Sequence, residues 1–249
     1  MKRHALIPLV LVLGLAGCSS KAPKESGESI SDIYVQKGVR YMENGQLDIA
    51  LQDLQHAIEL DGHNSEAHNA IAVLYERLDQ PGAAEEHFKR ALSLDAGNSS
   101  ALNNYGRFLC AQGQYDKAMD NFRRVIDSKL YKQPWIALTN AGLCANAAGK
   151  KKEAEDHLRK ALEANPTFPP ALLELAKLSL ETGQYMSARA FLQRYEAVAE
   201  PDPQSLWIGV QTENALGNSQ AAGDYINALR SRFPDSREAM QAKKLNPSY

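Results

Sequence analysis

The stretch "GQYDKAMDNF" (113–122) decides the fold, because the chain repeats it. Its relatives are "GQLDIALQDL" (45–54), "QPGAAEEHF" (80–88), "GKKKEAEDHL" (149–158), "GQYMSARAFL" (183–192) and "GNSQAAGDYI" (217–226). One alanine recurs at 50, 84, 118, 154, 188 and 222, at spacings of 34, 34, 36, 34 and 34. A large apolar residue follows four positions later: Leu54, Phe88, Phe122, Leu158, Leu192, Ile226. Twelve positions before each alanine stands Gly38, Ala72, Gly106, Gly142, Ala176 or, as the exception, Val210. Two helices approach closely only where small residues meet, so this spacing describes helix pairs. Gly45, Gly113, Gly149, Gly183 and Gly217 fall between the two helices of a pair, where a helix C-terminus favours a left-handed residue; the second pair uses "DQPG" (79–82) instead. A fixed period of this length is the mark of a stacked array.

The 34-residue period with this small–alanine–large spacing resembles the tetratricopeptide repeat (TPR). The resemblance implies an all-α superhelix of six repeats, at roughly 31–64, 65–98, 99–134, 135–168, 169–202 and 203–236, with a short capping helix over 237–245. Two departures stand out. Repeat 3 is two residues longer at "SKLYKQP" (128–134), and repeat 6 carries Val210 and Gly209 out of the usual order, which predicts looser packing there.

Before the repeats lies a different kind of sequence. Lys2 and Arg3 precede the apolar run "ALIPLVLVLGLAG" (5–17), which is too short to span a bilayer and reads as a secretory signal over 1–17. It ends in "LAGC" (15–18), which resembles the bacterial lipobox; in that family the cysteine, here Cys18, carries acyl chains. The alternative is an ordinary cleaved signal with an incidental cysteine. Ser19, rather than an aspartate, follows Cys18, which by resemblance to enterobacterial sorting points to the periplasmic face of the outer membrane. "SSKAPKESGES" (19–29) has almost nothing to bury, so 18–29 reads as a tether.

The rest of the composition excludes more than it selects. A formal net charge of −2 without a long Lys/Arg block gives no sign of a nucleic-acid partner. There is no His-Glu-x-x-His; "AGKK" (148–151) lacks the Gly and Ser/Thr of a phosphate loop, and "GNSQA" (217–221) lacks the second Gly of a nucleophile elbow. His56, His63 and His68 are close in sequence, but His68 falls at a core position, so solvated or packed imidazoles are expected rather than a metal site. The expectation is therefore a non-enzymatic binding protein with no small-molecule substrate, no metal, and no cofactor beyond a covalent lipid on Cys18. Cys110 and Cys144 lie on the first helices of adjacent repeats, and two readings stay open: two buried thiols, or one bridge clamping repeat 3 to repeat 4.

TPR arrays bind a peptide or helix on the concave face, which by resemblance is lined by residues of each first helix. In repeats 1 and 2 these include Val35, Val39, Met42, Asn69 and Val73, expected as a solvent-facing apolar stripe; the open alternative is that the tether or a loop covers it. In repeats 3 and 4 the strip is Asn103, Arg107, Thr139 and Leu143, with Asn104 and Asn140 at structural positions. The lysines of a chaperone-type carboxylate clamp are missing. More specifically, "NNYGRFLC" (103–110) and "YKQPWIALTNAGLC" (131–144) resemble the type IV pilus biogenesis and stability lipoproteins (the PilF/PilW family), pilotins of the pilus secretin. That family combines a lipobox, a tether and six TPRs. The resemblance implies a membrane-held partner of secretin subunits that promotes their localisation and multimerisation; the rival is another TPR lipoprotein scaffold, serving outer-membrane protein assembly or cell-wall enzymes.

Overall fold

The computed structural model describes residues 29–245. The signal 1–17, Cys18 with its expected acyl chains, and all of the tether but Ser29 lie outside the described residues. Helices pair in chain order: α1 (Ile30–Glu43) with α2 (Leu47–Leu60), α3 (Ser65–Arg77) with α4 (Pro81–Leu94), α5 (Ser99–Ala111) with α6 (Tyr115–Ile126), α7 (Pro134–Ala147) with α8 (Lys151–Ala164), α9 (Pro169–Glu181) with α10 (Tyr185–Glu196), and α11 (Pro203–Ala215) with α12 (Ser219–Arg232). A thirteenth helix, α13 (Arg237–Leu245), follows. Among the described residues there is no strand, and no helix is long and apolar enough to cross a membrane.

Each pair is closed by the same turn. After α1 the amide of Gly45 donates to the Met42 carbonyl (3.2 Å) and that of Gln46 to Tyr41 (2.9 Å), with Gly45 at φ +74°. This double bond satisfies two carbonyls at the helix end and requires a left-handed residue between them. In the second pair Asp79 takes that conformation at φ 55°, with the same bonds from Asp79 to Glu76 and from Gln80 to Tyr75. Aspartate tolerates it better than most side chains.

Within each pair a small residue meets a large one. A Cβ on Gly106 would stand 2.7 Å from Phe122 Cε1, so only hydrogen fits. Repeat 6 differs from its expected looseness. Its lock moves one residue toward the N-terminus: Gly209 faces Tyr225, whose Cε1 would lie 2.6 Å from an added Cβ, while Val210 is fully buried. The sixteen-residue offset between Gly209 and Tyr225 is that between Gly106 and Phe122, so the contact persists in a shifted register. The Tyr225 hydroxyl, taken up into the interior by the shift, donates to Glu196 Oε1 (2.9 Å).

Between repeats a polar latch recurs. Ser31 Oγ donates to the Ala57 carbonyl (2.9 Å), and Asn64 Nδ2 donates to Ser31 Oγ (2.9 Å) while Asn64 Oδ1 caps α3 through the Ala67 amide (3.1 Å). Ser65, Ala91, Asn98 and Ala101 repeat the pattern one period later. At the longer third junction the capping position is Gln133, which makes no side-chain cap bond, and Leu130 projects with 87% of its surface exposed. There a disulfide joins Cys110 on α5 to Cys144 on α7, with Cα atoms 5.7 Å apart. That distance lies within the usual range for a bridge.

Candidate functional site: the inner wall of the array

Consecutive first helices lie side by side, α1 against α3 against α5 and onward to α13, and form the inner wall. This side-by-side contact corrects much of the expected stripe. Val35 and Met42 are buried, in one core cluster with Ala67, Ala70, Ile71 and Leu74 of α3. Val39 and Val73 are partly buried against the same cluster. Asn69, Asn103 and Thr139 are buried and bonded: Asn104 Nδ2 donates to Asn69 Oδ1 (3.1 Å), Asn140 Nδ2 to Asn103 Oδ1 (3.0 Å), and Thr139 Oγ1 to the Trp135 carbonyl (2.8 Å). These groups hold adjacent helices together. A partner cannot reach Val35 or Met42 without unstacking repeat 1 from repeat 2.

Arg107 and Leu143 are exposed, and the structure brings them together. They line a groove of about 290 Å³ with Glu76, Asn140 and both bridged cysteines. Arg107 Nη2 lies 3.9 Å from Glu76 Oε1, and Leu143 keeps 38% of its surface exposed. The bridge fixes the spacing of α5 and α7, and so the width of this groove.

A larger cavity, about 660 Å³, opens where α9, α11 and α13 converge. Trp207, Ile208, Leu180 and Tyr185 supply its apolar surface; Gln204, Gln211 and Gln241 supply amides that both donate and accept; Lys177, Arg237, Glu181 and Glu238 supply charge. Glu181 pairs with Lys151. Glu174, whose carboxyl is held above the usual range by burial despite Lys177 at 3.9 Å, lies one turn from Lys177 on α9. An apolar floor with a few convergent polar groups suits the capture of a protein segment. The sequence reading missed this cavity. Trp207 on α11, the first helix of repeat 6, is its signal in the sequence, but the shifted register of repeat 6 hides which residues of α11 face inward.

His56 and His68 have different partners. His56 Nδ1 lies 3.2 Å from Glu59 Oε2, while His68 Nδ1 lies 2.9 Å from Nδ1 of His87, a residue the sequence had not singled out. Among the described residues no group of three or more His, Cys, Asp or Glu could hold a metal ion.

Fold and wall together define a TPR protein. Family models for the tetratricopeptide repeat match residues 35–101, 98–166 and 145–207 in succession. The type IV pilus assembly protein PilF of Pseudomonas aeruginosa is 28% identical over 252 residues, covering 98% of this chain and 100% of that protein. A solved structure of Pseudomonas aeruginosa PilF aligns at 28% identity and a TM-score of 0.74, covering 87% of this chain and 97% of that one. The structure of PilW, a widely conserved type IV pilus biogenesis factor, aligns at 32% identity and a TM-score of 0.79, covering 86% of this chain and 99% of that one. The chain belongs to the family of TPR type IV pilus biogenesis factors that includes PilF and PilW.

Proposed function

We propose that the protein is a pilotin for type IV pilus biogenesis: a non-enzymatic lipoprotein that binds outer-membrane secretin subunits and promotes their localisation and multimerisation. The observation that carries this reading is the full-length correspondence to PilF, with an inner wall open at two grooves and no catalytic constellation required. An unassembled secretin subunit exposes apolar surface. A groove floored by Trp207 and Ile208, or by Leu143 beside Arg107, can cover part of it. Acyl chains on Cys18 would hold both proteins at the periplasmic face of the outer membrane and raise their local concentration there. Binding energy and lipid sorting then supply the direction, without nucleotide, metal or cofactor.

The test compares secretin multimers in cells carrying the native chain, Leu143→Asp, Trp207→Asp and Cys18→Ser. Fewer assembled rings in the two groove variants, at unchanged protein level, support the reading. Lost rings with normal porin assembly distinguish it from a general outer-membrane scaffold. Normal rings in a strain lacking the protein altogether refute it.

A further inference from the structure

The first repeat exposes a face that repeats 2 to 5 bury. Ile33 corresponds, at the repeat spacing, to Ala67, Ala101, Ala137 and Ala171, all fully buried, yet Ile33 keeps 50% of its surface exposed. Lys37 corresponds to Ile71, Tyr105, Ala141 and Leu175, all buried, and is itself exposed. In repeats 2 to 5 these positions receive the preceding repeat; among the described residues no repeat precedes repeat 1. The face continues across α1 and α2. Ile30 (64% exposed), Tyr34 and Tyr41 share its α1 side, Ile49 its α2 side, and the Tyr34 ring meets His56 edge-on at 4.5 Å. Lys37 Nζ bonds Asp53 Oδ1 (3.0 Å) and lies over the Tyr34 and Tyr41 rings at 5.5 and 5.7 Å.

We propose that this end face is a seat on the lipid bilayer. The inference rests on the reading that Cys18 is acylated, and two observations select lipid over protein. First, alanine in the later repeats leaves a notch into which a neighbouring helix fits. Ile33 fills that notch, and Lys37 places an ammonium where a docked helix would bury it. A raised isoleucine ridge beside tyrosine rings and a lysine suits fluid hydrocarbon under a headgroup layer: isoleucine enters the acyl region, while the rings and the Lys37–Asp53 pair lie at headgroup depth. Second, twelve residue steps separate Cys18 from Ile30, at most about 40 Å of extended chain. α13 lies six first-helix layers further on, at about 8–10 Å per layer. The anchor therefore presents this end to the membrane. The intervening sequence "SSKAPKESGES" offers no apolar residue larger than Ala22 and Pro23 to match an isoleucine ridge.

The test uses the full-length protein in vesicles of phosphatidylethanolamine and phosphatidylglycerol with brominated acyl chains, lipid in excess. Tryptophan is introduced separately as Ile33→Trp, Ile30→Trp and, at the opposite end, Met240→Trp on α13; the native Trp135 and Trp207 signal is subtracted using the parent protein. Added emission at 33 and 30 should fall about twofold against unbrominated vesicles and shift to the blue, while emission at 240 stays unchanged. Equal emission at both ends, or no quenching at 33 and 30, overturns the proposal. So does a blue shift that needs no lipid and grows with protein concentration, which would mark a second copy as the occupant. The mass at residue 18 is read in parallel. An unmodified Cys18 with quenching at 33 refutes the anchor alone, whereas an acylated Cys18 without quenching refutes the seat alone.

Discussion

The two ends of the array handle the same problem differently. A stacked array has an open apolar face at each end. At the C-terminal end α13 lies over the last repeat, with Ala239 and Ala242 buried against Leu206, Val210, Ile226 and Leu229. In doing so it also builds one wall of the 660 Å³ cavity. At the N-terminal end the equivalent positions carry Ile33, Tyr34 and Lys37, half-polar and open. One end is closed by the chain itself, and there closure creates a concave surface. The other end, among the described residues, keeps Ile33 and Lys37 exposed.

The comparison can be broken most forcefully at the closed end. Ala242→Asp places a carboxylate in a fully buried site and should cost about 3–4 kcal/mol, releasing α13 and deforming the cavity. Thermal melting and hydrogen exchange over 203–245 would show the loss concentrated in repeat 6. Next comes the middle of the array. Reducing the Cys110–Cys144 bridge, which closes a 34-residue separation, should destabilise by about 2–4 kcal/mol, read as a lower denaturant midpoint. An unchanged midpoint would mean that the latches and cores hold repeats 3 and 4 alone. Val39→Asp strikes the partly buried back of α1 and should cost about 2 kcal/mol by urea denaturation, because this valine packs on the repeat 1–2 core.

A smaller effect depends on pH. His68 and His87 both sit below the ordinary histidine range, chiefly through burial; each ring also faces the other, Arg90 opposes charge on His68, and Glu86 favours charge on His87. The Gly62 carbonyl accepts from His68, and Tyr75 stacks on His87. Because the folded values are depressed, the unfolded chain takes up protons first. The pair's stabilisation is present above about pH 6.5 and is lost as pH falls below it. Melting from pH 7.5 to 5 should show this slope, and His87→Asn should reduce it, the remainder coming from His68 and from His157, which burial also depresses. The smallest effect is expected at the open end, where Ile33→Asp should change stability by no more than about 0.5 kcal/mol. A large loss there would mean that Ile33 is core and that this end is not open.

Much of the architecture could be read without coordinates. The period placed the helix pairs, the turn glycines marked where pairs close, and the sixteen-residue offset named the locks at Gly38, Gly106 and Gly142, while repeat 6 shifts its lock to Gly209 and Tyr225. The site was less legible. Of the nine residues expected on the binding face, Arg107 and Leu143 reach solvent in a groove, while Val35 and Met42 lie in the core. A repeat position defines which way a side chain leaves its own helix. It does not say how close the next first helix comes.

By itself the sequence determined the class of fold, because steric complementarity within a helix pair is local and recurs with the period. Tertiary structure alone decided that Cys110 meets Cys144, that Trp207 opens into a cavity beside α13, and that the alanine position of repeats 2 to 5 becomes an exposed ridge in repeat 1. Each of these depends on distances between repeats or on what stands next to a repeat. Burial belongs to neighbours in space, and a one-dimensional pattern carries no record of which neighbour is missing.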